Sequence, residues 1–140
     1  MKRVIYTLFI LLLLSSCGSE EYVPEEIFII PSPTEYVFNS EGGTVTITVE
    51  SNASSWWHGF PHFTNKYGLH PDLEYEEVEI ESNSDGLRLF RTNWFEIERI
   101  EPNVIVVRVE PNESGNERRV LLHLQHAIRQ VGVMITQSAE

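Results

Sequence analysis

Aromatic and histidine side chains are concentrated in residues 58–71, directly after a tryptophan pair. Sugars present apolar C–H faces beside hydroxyl rims, so an exposed aromatic plane near polar side chains suits them. Loops on a rigid scaffold are also common binding sites. The alternative is that this segment folds onto the domain as a small satellite core. The residues predicted to bind a ligand are Trp56, Trp94, Tyr67, Phe60 and His62.

The tryptophans should differ in orientation. Trp56 and Trp57 are adjacent, so in an extended chain their side chains lie on opposite sides. We expect Trp57 in the core and Trp56 facing outward or covering an edge. The same alternation places Trp94 on the outer face with Glu96, and Phe95 inside. An outward tryptophan beside carboxylates forms a sugar platform. The alternative is that it closes the open end of a sandwich.

The histidine spacing does not favour a metal site. His58 and His62 have the i, i+4 spacing that a helix would bring together. However, a glycine and a proline lie between them and disfavour a helix. His123 and His126 would lie on opposite faces of a strand. We expect no metal ion and no cofactor.

Carboxylates are numerous but do not form a catalytic motif. The run Glu74–Glu81 alternates glutamate with apolar residues over its second half. This pattern predicts a solvated outer or edge strand whose charge discourages edge pairing. No serine lies in a nucleophile-elbow pattern and no phosphate-binding loop is present. We therefore expect a protein without enzymatic activity.

Cys17 is the single cysteine, and it follows a short export leader. The basic pair Lys2-Arg3 precedes the apolar run Val4–Leu14, which is about half the ~20 residues of a membrane-spanning helix. The residues Leu14-Ser15-Ser16-Cys17 resemble the bacterial lipobox, whose cysteine carries diacylglycerol. The resemblance implies a signal peptide at 1–16 and lipidation of Cys17. Several acyl chains would hold the protein stably to a membrane.

The tether is assigned to residues 17–33. Gly18-Ser19-Glu20-Glu21 is similar to the acidic signal that directs Bacteroidetes lipoproteins to the outer face of the outer membrane. The resemblance implies a lipid-anchored protein facing the cell exterior; the alternative is a plain solvated tether. Three prolines favour extended backbone here. The run Ile27–Ile30 is too apolar for a linker, so we expect part of it to form a first strand.

The charge of the chain limits its partners. The net charge is −11, and it becomes −13 once Lys2 and Arg3 are removed. Nucleic acids and anionic headgroups require clustered positive charge, so neither is expected to bind. The partners that remain are the membrane through the lipid, a polysaccharide or host glycan, and other outer-membrane proteins.

The hydrophobic pattern of residues 34–140 has a period of two. Polar and β-branched residues alternate in Thr44–Val49, and similar inward sets recur further along the chain. Those sets are Ile105, Val107 and Val109; Val120, Leu122 and Leu124; and Val133 with Ile135. Turn residues at 111–116 and 127–129 separate the last three. Short strands joined by turns predict an all-β, single antiparallel β-sandwich.

Five ordered pieces of this region resemble a BACON domain. The first is Phe38–Val49 with its Gly-Gly turn, followed by Ser51-Asn52 and the Trp56-Trp57 pair; the others are Thr92–Ile97, Val104–Ser114, Arg118–Val120 and Val133–Gln137. The resemblance implies an immunoglobulin-like sandwich in surface proteins of gut Bacteroidetes, often beside carbohydrate-active enzymes. Residues 58–91 are longer than the family's usual connection. Two functions are open: a non-catalytic glycan-binding module, or a spacer or interaction subunit of an outer-membrane complex.

Overall fold

The computed structural model describes residues 25–53, 55–59, 61–65, 68–70, 78–84 and 86–139. This part of the chain contains twelve β-strands and no helix, so none of it forms a helix that could cross a membrane. The strands are β1 (Ile29–Ser32), β2 (Glu35–Phe38), β3 (Gly43–Ser51), β4 (Trp57–His58), β5 (His62–Asn65), β6 (Gly68–His70), β7 (Glu79–Asn83), β8 (Gly86–Arg91), β9 (Phe95–Glu101), β10 (Val104–Val109), β11 (Arg118–His126) and β12 (Arg129–Gln137).

Two sheets pack face to face. Sheet A has the order β1-β3-β10-β9-β8-β7, and sheet B has the order β2-β12-β11-β5-β6, with β4 also paired to β11. Strand pairs are antiparallel except for β2 with β12, which is parallel. The chain is therefore an immunoglobulin-like β-sandwich, and the predicted fold class is confirmed.

The core consists of the inward-facing residues that the alternation predicted. In β3 the buried residues Val45, Ile47 and Val49 alternate with exposed threonines. The inward sets of β10, β11 and β12 are likewise buried, at most 5% exposed. Burial of each such side chain contributes about 1.5–3 kcal/mol, which makes this shared face the main stabilising feature.

The apolar run before residue 34 joins sheet A, as expected. Ile29 is buried, and β1 pairs antiparallel with the last part of β3. Asn52 fixes the backbone just before β1. Its Oδ1 accepts from the Phe28 N–H at 2.9 Å, and its Nδ2 donates to the Glu26 carbonyl at 3.1 Å. The asparagine of the BACON-like pattern therefore has a structural role.

The Gly-Gly turn and the terminal glutamine of the same pattern meet at one end of the sandwich. The buried Gln137 donates from Nε2 to the carbonyls of Glu110 (2.9 Å) and Ser40 (3.3 Å). Gly42 lies in the same turn with φ of 75°. A Cβ on Gly42 would lie 2.2 Å from the Val109 carbonyl oxygen, so this backbone approach requires glycine.

The outer face of sheet A carries a network of ion pairs. The edge strand β7 is exposed, as its glutamates predicted, and Glu81 pairs with Arg88. Arg88 and Arg108 both pair with Glu98, at 3.0 and 3.1 Å. Leu89 and Val106 are also buried, although they do not belong to the main core. They lie opposite Glu98 on the two neighbouring strands. Surface pairs contribute little individually, but long arginine stems can shield apolar neighbours.

Gly42→Ala should destabilise the domain by about 3 kcal/mol or more, because the added methyl group meets backbone and the φ angle is left-handed. Gly115→Ala is the matched control. Gly115 has φ of 69°, but nothing lies within 4 Å of its added Cβ, so the cost should be only about 1–2 kcal/mol. Urea unfolding measures both variants. Equal losses would contradict the close approach at Gly42.

Candidate functional site

Trp56 is buried rather than outward-facing. Its side chain is 5% exposed, and the guanidinium carbon of Arg99 lies 4.2 Å from the ring centroid. Arg99 also donates to the carbonyls of Trp56 (2.9 Å) and Pro102 (2.6 Å). The outward half of the expectation was wrong in phase. Trp56 lies two residues before the buried His58, so the alternation that continues into β4 turns Trp56 inward.

Trp94 is also buried, at 8% exposure, so its predicted outer position was wrong. The hydroxyl of Thr92 accepts from the N–H groups of Trp94 (3.3 Å) and Phe95 (3.2 Å), forming a bend. The alternation of β9 therefore begins only at Phe95. The Trp94 ring packs edge-on against Phe95, and Arg118 covers it at 4.7 Å. This is the alternative arrangement, in which the tryptophan closes one end of the sandwich.

The other predicted site residues are only partly described. Phe60, Tyr67 and Cys17 lie outside the described residues, so their predicted roles remain predictions. His62 lies on the outer face of sheet B, paired with Leu121. Trp56 and Trp94 lie near opposite ends of β9. The two described tryptophans of the predicted site therefore do not form one patch.

Sequence reasoning missed the two arginines that cover the tryptophans. Arg99 continues the inward set of β9 after Phe95 and Ile97, and Arg118 begins the inward set of β11 before Val120. The sequence did contain a signal for them. Each arginine stands near the end of a strand, at a position where the alternation predicts an inward-facing side chain. Such an arginine extends its stem over the core edge and keeps its charge near water.

An open cleft surrounds the Trp56–Arg99 pair, and we call it the Trp56 cleft. It has a volume of about 610 Å³. A second hollow of about 320 Å³ shares Ser55, Trp56, Arg99 and Pro102 with it. The polar side chains that line the cleft are Ser55, Asn83, Arg88, Glu98, Arg99 and Glu101. Leu87, Ile100 and Pro102 add apolar surface.

The charges of the cleft are balanced and partly fixed. It is lined by two arginines and two glutamates. The oxygens of Glu98 accept separately from Arg88 and Arg108. This pairing orients the Glu98 carboxylate and leaves Glu101 exposed beside it. The arrangement offers donors and acceptors in fixed directions, as recognition of a hydroxyl-bearing ligand requires.

A fully buried histidine lies near the cleft. His58 is 0% exposed, and its cross-strand partner is the inward-facing Leu124. Burial, aided by the charge of Arg99, lowers the pKa of His58 to about 4. Nearby backbone groups favour the protonated ring. Neither ring nitrogen of His58 makes a hydrogen bond, however. The effect of burial therefore outweighs that of the backbone groups, and the pKa is lowered.

Two other histidines meet on the outer face of sheet B. His62 Nδ1 and His123 Nε2 lie 3.4 Å apart, and Gln130 Nε2 lies 2.8 Å from His123 Nδ1. Burial, and to a lesser degree His62, lowers the pKa of His123. The described residues hold no group of three or more histidine, cysteine or acidic side chains arranged for a metal ion.

Solved structures share the fold of this chain. An NMR structure of a protein from Bacteroides thetaiotaomicron aligns with a TM-score of 0.50 and 18% identity, over 76% of this chain and 77% of that one. The likeness is one of fold. A Bacteroides ovatus GH5 xyloglucanase in complex with a XXXG heptasaccharide aligns with a TM-score of 0.47 and 11% identity. That alignment covers 82% of this chain and 19% of the xyloglucanase, and it is too weak to carry a functional argument.

No protein-family model matches the sequence, and no curated protein matches it. The resemblance to a BACON domain therefore stays an interpretation of the sequence pattern. The Bacteroides structure supports the sandwich itself.

The stability of the domain should fall as the pH decreases from about 6.5 to about 4. The folded state keeps His58 neutral in this range, whereas the unfolded state takes up a proton, so acid favours unfolding. The loss due to His58 should reach about 3 kcal/mol. Denaturant unfolding at several pH values measures it.

His58→Leu is the matched variant for this prediction. Leucine keeps an apolar side chain at the buried position and removes the titrating group, so the pH dependence should flatten. Other titrating groups, including His123, are present in both proteins, and the difference between the two curves isolates His58. An unchanged slope in His58→Leu would contradict the assignment.

Proposed function

We propose that this chain is a lipid-anchored, non-catalytic module of the bacterial outer surface that binds neutral glycans in the Trp56 cleft. The open cleft itself carries the proposal. Its volume of about 610 Å³ lies within the range of small-molecule sites, and planar polar groups flank apolar surface in its lining. A short stretch of sugar residues has this mixture of hydroxyl rims and C–H faces.

The charges of the cleft favour a neutral ligand over a charged one. Arg88 and Glu98 are paired at 3.0 Å, so the pair has no net charge to offer an ion. Sugar hydroxyls both donate and accept, and they can satisfy carboxylate and guanidinium groups together. The mature chain's charge of −13 further disfavours acidic glycans through long-range repulsion.

The ion pairing also supports binding rather than hydrolysis. Glycosidases use two carboxyl groups, one of which holds a proton to donate. In the Trp56 cleft, each oxygen of Glu98 already accepts a hydrogen bond from a guanidinium group, so neither oxygen is free to act on a substrate. The resemblance to BACON domains agrees with a place on the cell surface, since that family often occurs beside carbohydrate-active enzymes.

A structural or protein-interaction role is the second candidate. The burial of Trp56 and Trp94 favours it, because neither ring is free to stack on a sugar without movement of its arginine. Under this alternative the domain is a spacer or an accessory subunit of an outer-membrane complex. Pull-down of a stable outer-membrane partner, together with absent glycan binding, would favour it.

Ser55→Phe should abolish glycan binding, because a small exposed side chain at the cleft wall becomes a bulky ring that projects into the cleft and obstructs it. Affinity electrophoresis on neutral plant and host polysaccharides, followed by calorimetry on the retarding glycan, measures this. Thr46→Phe is the matched control. Thr46 is exposed on the outer face of sheet A and is not part of the cleft lining, so binding should persist.

Two results would overturn the glycan proposal. One is no retardation of the wild type on any polysaccharide. The other is equal binding by wild type and Ser55→Phe. Intrinsic tryptophan fluorescence provides a second readout, because a ligand in the cleft changes the surroundings of Trp56.

Cys17→Ala should release the protein from the membrane fraction and prevent incorporation of labelled fatty acid. The domain should remain folded, because Cys17 lies before the sandwich. Fractionation and protease accessibility of intact cells measure anchoring and surface exposure. Persistent membrane attachment of the alanine variant would contradict lipidation at Cys17.

A further inference from the structure

The histidine pair of sheet B has a geometry that ordinary surface histidines lack. His62 belongs to β5 and His123 to β11, neighbouring strands of one sheet. The two ring nitrogens are 3.4 Å apart, and the ring centroids are 4.6 Å apart with an interplanar angle of 71°. The two rings therefore approach at an angle, with one nitrogen from each at the point of closest approach.

This separation suits two ligands of one metal ion. Imidazole nitrogens bind Zn²⁺ at 2.0–2.1 Å, and two such ligands in a tetrahedral shell are about 3.3 Å apart. The observed 3.4 Å between His62 Nδ1 and His123 Nε2 agrees with that spacing. Small rotations of two partly exposed side chains would direct both nitrogen lone pairs toward a shared ion.

Gln130 supplies the outer contact that metal-binding histidines usually have. Its amide lies 2.8 Å from His123 Nδ1, the nitrogen that faces away from His62. Without an ion, the amide N–H can donate to Nδ1 while His123 Nε2–H donates to His62. Turning the amide over presents its oxygen to Nδ1–H and leaves Nε2 free as a ligand.

The immediate surroundings of the histidine pair do not repel a cation. The residues of β11 and β12 next to His123 on this face are Leu121, Gln125, Gly132 and Gln130, which are uncharged. Gly132 lies directly opposite His123 and adds no side chain over it. Burial lowers the pKa of His123, which keeps this ring neutral as a ligand near pH 7. The overall negative charge of the chain attracts cations.

We propose that His62 and His123 form a surface site for a divalent transition-metal ion, oriented by Gln130 and completed by water. This site goes beyond the glycan proposal and is independent of it. Imidazole ligands suit Cu²⁺, Ni²⁺ and Zn²⁺, and Cu²⁺ binds most tightly in the general order of affinities. The ion takes the place of the hydrogen bond between the rings. A shift of the His123 proton from Nε2 to Nδ1 accompanies binding, so the ligands lose no net proton.

Calorimetry and electron paramagnetic resonance with Cu²⁺ alone test the site. The protein is the full chain without an affinity tag, in detergent. The reference protein and all variants carry Cys17→Ser, because a chain made without the lipid would have a free thiol there, and a thiol is itself a metal ligand. The expected result is one Cu²⁺ per chain with hyperfine structure from two imidazole nitrogens. His62→Gln and His123→Gln should each weaken binding at least about tenfold, and Gln130→Ala about tenfold.

His126→Gln is the matched control, because it removes an imidazole from the same strand whose ring contacts the Ser55 carbonyl instead. It should leave the Cu²⁺ affinity unchanged. Thermal unfolding without metal verifies that every variant is folded. The proposal is overturned if the wild type binds no Cu²⁺, if both histidine variants bind as the wild type does, or if only one of them weakens binding. The last result would mean that a single imidazole binds.

Discussion

Both ends of this sandwich must be closed without a covalent cross-link, and a tryptophan covered by an arginine closes each of them. The chain's single cysteine lies before the domain, so no disulfide is available to hold the sheets together. Trp94 lies just before β9 and is covered by Arg118, whereas Trp56 is covered by Arg99 near the end of the same strand. The buried core of the two sheets lies between these two tryptophan–arginine pairs.

The regular part of this architecture was readable from the sequence. Alternation of apolar and polar residues predicted the inward sets of β3, β10, β11 and β12, because one face of each strand is buried and the other is solvated. The described end of the glutamate-rich run, from Glu79 onward, also forms the exposed edge strand that was predicted; residues 74–77 lie outside the described residues. In each case the decisive information lay within a few consecutive residues.

The candidate sites were harder to predict because both tryptophans stand just before a strand, where few flanking residues fix the phase of the alternation. At Trp94 a local bend at Thr92 interrupts the alternation, whereas at Trp56 the alternation runs in the opposite phase to the predicted one. The Trp56 cleft and the His62–His123 pair combine residues from distant parts of the chain. The sequence offered nearby pairs such as His58 and His62, but β4 turns His58 into the core while β5 places His62 on the outer face.

The two hydrogen bonds between Asn52 and the backbone before β1 have a mechanical consequence if the chain is anchored through Cys17. Any pull on a bound ligand would pass through the tether and reach the domain at β1. Because β1 lies antiparallel along β3, a pull along the strand loads its backbone hydrogen bonds together, in shear. The bonds from Asn52 to Phe28 and Glu26 lie at the point where that force enters. The first strand would then act as the clamp that keeps the sandwich folded under tension.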